Sequence, residues 1–316
     1  MISVLSITGT LFLIISIGYL SLRWQFLNRN TLNLLISYVL YFALPAVIFN
    51  ALSNQVPSEI INLNYLLPYL IATIIVFILG YLISNYLWGT DPTASVFNAA
   101  GMACANSGFV GYPLLILALP AVAQTALALN MLVENLIIIP LILILAEYAS
   151  SKKKVGWYLF VVILRRLVSN PLVIAMLTSL LVILTDIEIP DFVTNIIYFI
   201  AQSGALVCLF VIGGTLFGVT LSKFGIMMYG IVLGKLIFFP LAVFLSFEIF
   251  PFIMGIGLVN DDLRKAAIIM ASTPAMTLYP ILAARFGEAD QASACMLVMT
   301  ILSFFTMSSV LLMLGI

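Results

Sequence analysis

The chain predicts an all-α polytopic membrane protein, with ten transmembrane helices in two inverted repeats of five and Pro-broken crossing helices 4 and 9. Three observations carry this. Of the 316 residues 64% are hydrophobic and 8% charged, whereas a soluble domain is about half apolar and a quarter charged; only a bilayer can solvate such a surface. Ten apolar runs reach the length of about 20 residues that a span requires. The fourth and ninth runs are interrupted by Gly and Pro in the same register, with Pro113 and Pro280 167 residues apart.

The first run, 3–22, has no Lys or Arg before it and reads as a retained helix rather than a cleaved leader. The second, 31–52, carries Pro45, and the third is 63–87. The fourth, 94–118, holds Asn98-Ala-Ala-Gly-Met-Ala-Cys-Ala-Asn106-Ser-Gly108-Phe-Val-Gly111-Tyr112-Pro113, and the fifth is 123–147. A basic stretch, 150–168, separates the halves; its portion from Trp157 to Val168 reads as an interfacial helix. The sixth run, 169–185, starts at Asn170-Pro171, followed by 191–217 and 224–249. The ninth, 265–286, holds Lys265-Ala-Ala-Ile-Ile-Met-Ala-Ser-Thr273-Pro274-Ala-Met-Thr-Leu-Tyr279-Pro280, and the tenth is 290–314. Asn28 to Asn30, Asn54 to Pro57, Asp91-Pro92, Ser150 to Lys154, Asp186 to Asp191 and Asn260 to Asp262 mark the turns. The domains are therefore a first repeat (1–149), a linker (150–168) and a second repeat (169–316). Five spans per half invert one repeat relative to the other.

Lys and Arg set the orientation. With both termini outside, the inner loops receive Arg23, Arg29, Lys152, Lys153, Lys154, Arg165, Arg166, Lys223 and Arg285, and the outer ones only Arg264 and Lys265.

An unwound membrane helix is tolerated only where protein or a water-filled cavity satisfies its backbone. Single Pro kinks are common, but two breaks in matching register point to a site. The freed helix N-termini carry partial positive charge and suit an anion. The candidate binding residues are Asn106, Ser107, Gly108, Gly111, Pro113, Thr273, Pro274, Thr277 and Pro280, with Lys235 in the eighth span as a further cation. Glu134 and Asn130 form a polar stripe in the fifth span and are candidates for coupling. Buried charges in a membrane default to function, although Lys235 and Glu134 also make a plausible structural ion pair. The chain contains no His, so His-based proton relays and Ser-His or Cys-His dyads are excluded. Cys104, Cys208 and Cys295 show no metal spacing and read as core. No enzyme, metal site or cofactor is expected beyond coupling to Na⁺ or H⁺. A net charge of +0 gives no attraction to nucleic acid.

Tyr38-Val-Leu-Tyr41-Phe-Ala-Leu44-Pro45, the run from Asn106 to Pro113, Lys235-Leu-Ile-Phe-Phe-Pro240, and Pro274 to Pro280 followed by Asp290 together resemble the auxin efflux carrier family, which includes plant auxin carriers and bacterial malate-permease-like proteins. The resemblance implies a scaffold of helices 1, 2, 6 and 7 and a moving domain of helices 3–5 and 8–10. It implies elevator-like transport of small organic anions such as carboxylates, a homodimer through the scaffold, and the bacterial inner membrane. The chain lacks the long central loop of plant members, which argues for a bacterial type. A sodium- or proton-coupled symporter of the bile-acid-transporter type is the alternative; a membrane sensor without transport is a further one.

Overall fold

The computed structural model describes residues 2–53, 62–150, 165, 168–185, 187–219 and 225–316. Lys152, Lys153, Lys154, Arg166, Asp186, Lys223, the turn from Asn54 to Pro57 and nearly all of the proposed interfacial stretch lie outside these residues.

The described residues form an all-helical protein. Its helices are α1 (Ile2–Arg23), α2 (Arg29–Ser53), α3 (Leu63–Leu87), α4 (Pro92–Ala103), α5 (Ser107–Ala118), α6 (Ala123–Ser150), α7 (Pro171–Thr185), α8 (Asp191–Leu216), α9 (Ile226–Ile253), α10 (Asp261–Ala271), α11 (Tyr279–Ala284) and α12 (Ala289–Met313). Seven of them, α1, α2, α3, α6, α8, α9 and α12, are long and apolar enough to cross a membrane. The fourth apolar run is split into α4 and α5, and the ninth into α10 and α11. The breaks precede the prolines that signal them: residues 104–106 and 272–278 leave the helix, while Pro113 and Pro280 sit in the first turns of the α-helical segments Tyr112–Ala118 and Tyr279–Ala284. Pro280 is tolerated there because the N–H of a first turn has no helical acceptor, whereas Pro113 lies inside α5, behind the turn Ser107–Gly111.

Local chemistry explains where the helices begin. Asn28 accepts from Thr31 N, Asn62 from Tyr65 N, Asp91 from Thr93 N and Ala94 N, and Asn260 from Asp262 N; each supplies an acceptor to an otherwise unpaired first-turn amide. The start of α10 is fixed further by Asp261, which pairs with Arg264 at 2.6 Å and Lys265 at 2.9 Å, while Arg264 also reaches Glu248 of α9. Hydrogen bonds from Arg264 and then Lys265 hold the Asp261 carboxyl below its usual range.

Four prolines inside the spans follow a widened π turn: Val39–Ala43 before Pro45, Ser107–Gly111 before Pro113, Glu134–Ile138 before Pro140, and Gly234–Phe238 before Pro240. In each case the residue before proline donates five residues back: Leu44 to Val39 O, Tyr112 to Ser107 O, Ile139 to Glu134 O and Phe239 to Gly234 O. Proline offers no N–H and its ring crowds the carbonyl four residues earlier. One extra residue in the turn relieves that crowding.

α1 packs along α8, and the second half of α2 along α7 and α8; α3 packs on α4 and α9, and α4 on α6. The α1–α8 contact is backbone to backbone. A Cβ on Gly18 would fall 2.0 Å from Phe210 O, and one on Gly213 1.8 Å from Ile15 O. Leu13, Leu34, Phe42, Phe199 and Phe238 face outward, as side chains solvated by lipid do.

Candidate functional site

The two breaks meet. Ala105 and Ala275 form an antiparallel bridge, an isolated β contact between the unwound segments. Asn106 N–H donates to Pro274 O at 3.0 Å and to Thr273 Oγ1 at 3.1 Å. The Asn106 carbonyl accepts from Val110 N at 3.1 Å and Gly111 N at 2.9 Å, which starts α5. Thr273 Oγ1 in turn donates to Met270 O at 2.7 Å. Each break thus satisfies part of the other's exposed backbone, as membrane burial demands. Because α5 opens here, the amides of Ser107, Gly108 and Phe109 have no carbonyl within the helix to bond.

The side chains of Asn106 and Thr277 pair across the breaks, Nδ2 to Oγ1, at 3.1 Å. Both line a cavity of about 40 Å³ with Ser107, Gly108, Glu134 and Asn135. Its far wall comes from Leu40 and Leu44 of α2 and Leu172 of α7. The volume holds about one water. Gly108 lies tight against this wall, since a Cβ there would sit 3.0 Å from Leu44 Cδ1.

Behind the cavity runs a buried polar ladder. Ser107 Oγ donates to Glu134 Oε1 at 2.6 Å, and Tyr69 OH to the same oxygen at 3.3 Å. Asn130 Nδ2 donates to Ser107 Oγ at 3.2 Å, and Tyr65 OH to Asn130 Oδ1 at 2.7 Å. Two residues four apart on α3, Tyr65 and Tyr69, therefore face two residues four apart on α6, Asn130 and Glu134. Glu134 is 5% exposed and sits in a π turn, as do Ser107 and Lys235.

Lys235 stands apart from this cavity. Its Nζ donates to Ala271 O at 2.6 Å and lies 4.5 Å from the Phe239 ring centroid. Ala271 is the last residue of α10, so the ammonium caps the negative end of the helix that leads into the second break. The anticipated pairing of Lys235 with Glu134 is not among the ion pairs of the described residues, which join Arg264 to Glu248 and Asp261 and Lys265 to Asp261. A helix C-terminus satisfies the cation instead.

Of the candidate residues, Asn106, Ser107, Gly108, Glu134 and Thr277 line one cavity. Thr273 and Pro274 hold the Asn106 amide, Asn130 holds Ser107, and Gly111 packs on Met270, whose Cγ would lie 3.2 Å from an added Cβ. Pro113 and Pro280 shape the helices in which they sit and lie outside the cavity lining, and Pro280 borders the next cavity. Tyr65 and Tyr69 escape a reading of the sequence, because tyrosine in an apolar run signals a membrane interface. Their spacing of four, matched to that of Asn130 and Glu134, is the signal that finds them.

Residues 8–311 match the family described as "Membrane transport protein". A protein of Rhizobium meliloti (strain 1021) named "Putative malonate transporter" is 25% identical over 300 residues, which cover 94% of this chain and 92% of that protein.

Proposed function

This chain belongs to the membrane transport protein family, the auxin efflux carriers and malate-permease-like proteins, and on that premise we propose that it is a secondary carrier of small organic anions, a dicarboxylate such as malonate first among them. The observation that carries the reading is the convergence of two interrupted helices on Asn106 and Thr277, beside the first-turn amides of α5, which have no carbonyl within the helix to bond. Such amides and the helix dipole favour a carboxylate. The relative's name supports the dicarboxylate.

In this reading ten spans form two inverted repeats, residues 1–149 and 169–316, joined by the basic linker. Spans 1, 2, 6 and 7 are the scaffold; spans 3–5 and 8–10 carry the anion. Both termini face outward from a bacterial inner membrane, and the scaffold offers the surface for a homodimer. The cavity of about 40 Å³ is too small for a dicarboxylate. Its wall of Leu40, Leu44 and Leu172 must separate from α5 for the anion to enter, and an elevator displacement of one group of helices past the other does this. Asn106, Ser107 and Thr277 then donate to the anion. Thr273, Pro274, Gly111, Pro113 and Pro280 hold the backbone in shape, and Lys235 anchors α10.

A second reading, proton or sodium coupling, is favoured by one observation: Glu134 lines the same cavity. Two negative charges a few ångströms apart in a poorly polarisable interior repel strongly. Anion and proton, or anion and Na⁺, therefore enter together. A thermal-shift screen of short carboxylates, with and without sodium and at two pH values, tests both readings. Stabilisation by malonate is expected, and no response to any carboxylate contradicts the carrier. Glu134→Gln should abolish the dependence of uptake on pH if protons are coupled; a response to sodium alone selects Na⁺.

A further inference from the structure

A second feature of the molecule lies on the α2 side of the crossing. Three cavities adjoin in a row there, and neighbouring ones share walls. The first is the cavity of about 40 Å³ at Asn106. The second, about 140 Å³, shares Leu40, Phe109, Thr277 and Leu278 with it and adds Ile36 and Thr215. The third, about 210 Å³, shares Ile36 and Thr215 with the second and ends on Asn33 and Arg29. Arg29, Asn33, Ile36 and Leu40 fall at steps of four, three and four along α2, one stripe of a helix. The stripe runs about 16 Å from Arg29 to Leu40 at 1.5 Å per residue. Polarity rises along it, from leucine at the crossing to asparagine and arginine at the end.

Arg29 is held in place rather than loose. Its Nη2 donates to Phe217 O, the cap of α8, at 3.2 Å. Gly218 comes next with φ +83°, and a Cβ there would fall 2.5 Å from the same nitrogen. The bare glycine lets the guanidinium lie against the end of α8. A guanidinium carries five N–H donors in a fixed fork, and the bond to Phe217 uses one of them.

We propose that this row of cavities is the inner approach to the carrier site, and that Arg29 at its mouth is a selectivity residue that gathers dianions. The proposal rests on the carrier reading and on the positive-inside orientation above. At about 16 Å from Leu40 along the helix, Arg29 does not share the anion with Asn106. It acts earlier: a cation at the mouth of a low-dielectric cleft raises the local concentration of anions and their rate of entry. A dianion gains more than a monoanion, and salt weakens the effect. On the opposite side of the crossing Asn50 of α2 donates to Gln124 of α6 at 2.9 Å.

Initial rates of malonate uptake into sealed inverted and right-side-out membrane vesicles, with wild type, Arg29→Gln and Arg29→Lys, decide it. The expected result is a KM raised roughly tenfold in Arg29→Gln at the cytoplasmic face alone, with the maximal rate from that face retained. Arg29→Lys should restore most of the loss, and raised potassium chloride should move wild type toward Arg29→Gln. An unchanged KM, a shift at the outer face or equal at both, or a fall in maximal rate that Arg29→Lys leaves unrepaired would mark Arg29 as a cap of α8 only and overturn the proposal. Wild-type protein that moves neither malonate nor any other short carboxylate from either face would instead overturn the carrier reading, and this inference with it.

Discussion

Lys235 illustrates how a single residue's surroundings decide its role. In the sequence it is a charge buried in a span, equally suited to an anion or to Glu134. In the fold its ammonium is fully buried and donates to Ala271 O, so it secures the end of α10 from which the second break departs. Lys235→Met should leave that carbonyl buried and unpaired, at a cost of about 1–3 kcal/mol, seen as a lowered melting temperature in detergent. A variant with unchanged stability would return Lys235 to the list of anion ligands. Tyr65→Phe carries a parallel expectation. It removes the hydroxyl that donates to Asn130 Oδ1 at 2.7 Å, and the loss of about 1 kcal/mol should be accompanied by slower transport as Asn130 releases Ser107.

The helices were legible to different degrees. The breaks showed in the sequence because, although single Gly or Pro kinks are common in membrane helices, two Gly/Pro interruptions in one register are hard to explain otherwise. Their position was less legible: the chain unwinds at Cys104 to Asn106 and Ser272 to Leu278, whereas Pro280 marks the restart of its helix and Pro113 lies inside α5, past the π turn. The π turns were not legible at all, since a proline in a span reads only as a kink. They matter because three of them hold Ser107, Glu134 and Lys235. Pro240→Ala should let the turn at Gly234–Phe238 relax toward an α-helix. The expected result is reduced transport, with a lowered melting temperature as Lys235 shifts along the helix face away from Ala271 O; undiminished transport would show that the widened turn is incidental. Gly213→Ala tests the α1–α8 seam. Its Cβ would meet a backbone oxygen at 1.8 Å, so the helices must part, at a cost of about 1–3 kcal/mol or more, measured as loss of folded protein on size exclusion.

For the whole molecule, composition alone dictated the solvent, and the family emerges from motifs spread along nearly the entire chain. What composition could not convey is which helices touch. The Tyr65–Asn130 and Tyr69–Glu134 pairs emerge only when α3 lies beside α6, and the row of cavities toward Arg29 only when α2 lies beside α8. One claim is central to the proposed function, that the crossing of the two breaks binds the transported anion. Uptake of labelled malonate by proteoliposomes, comparing wild type with Asn106→Ala at matched amounts of folded protein, tests it most directly. Saturable uptake by wild type and its loss in Asn106→Ala are predicted; equal uptake by the two proteins would contradict the claim.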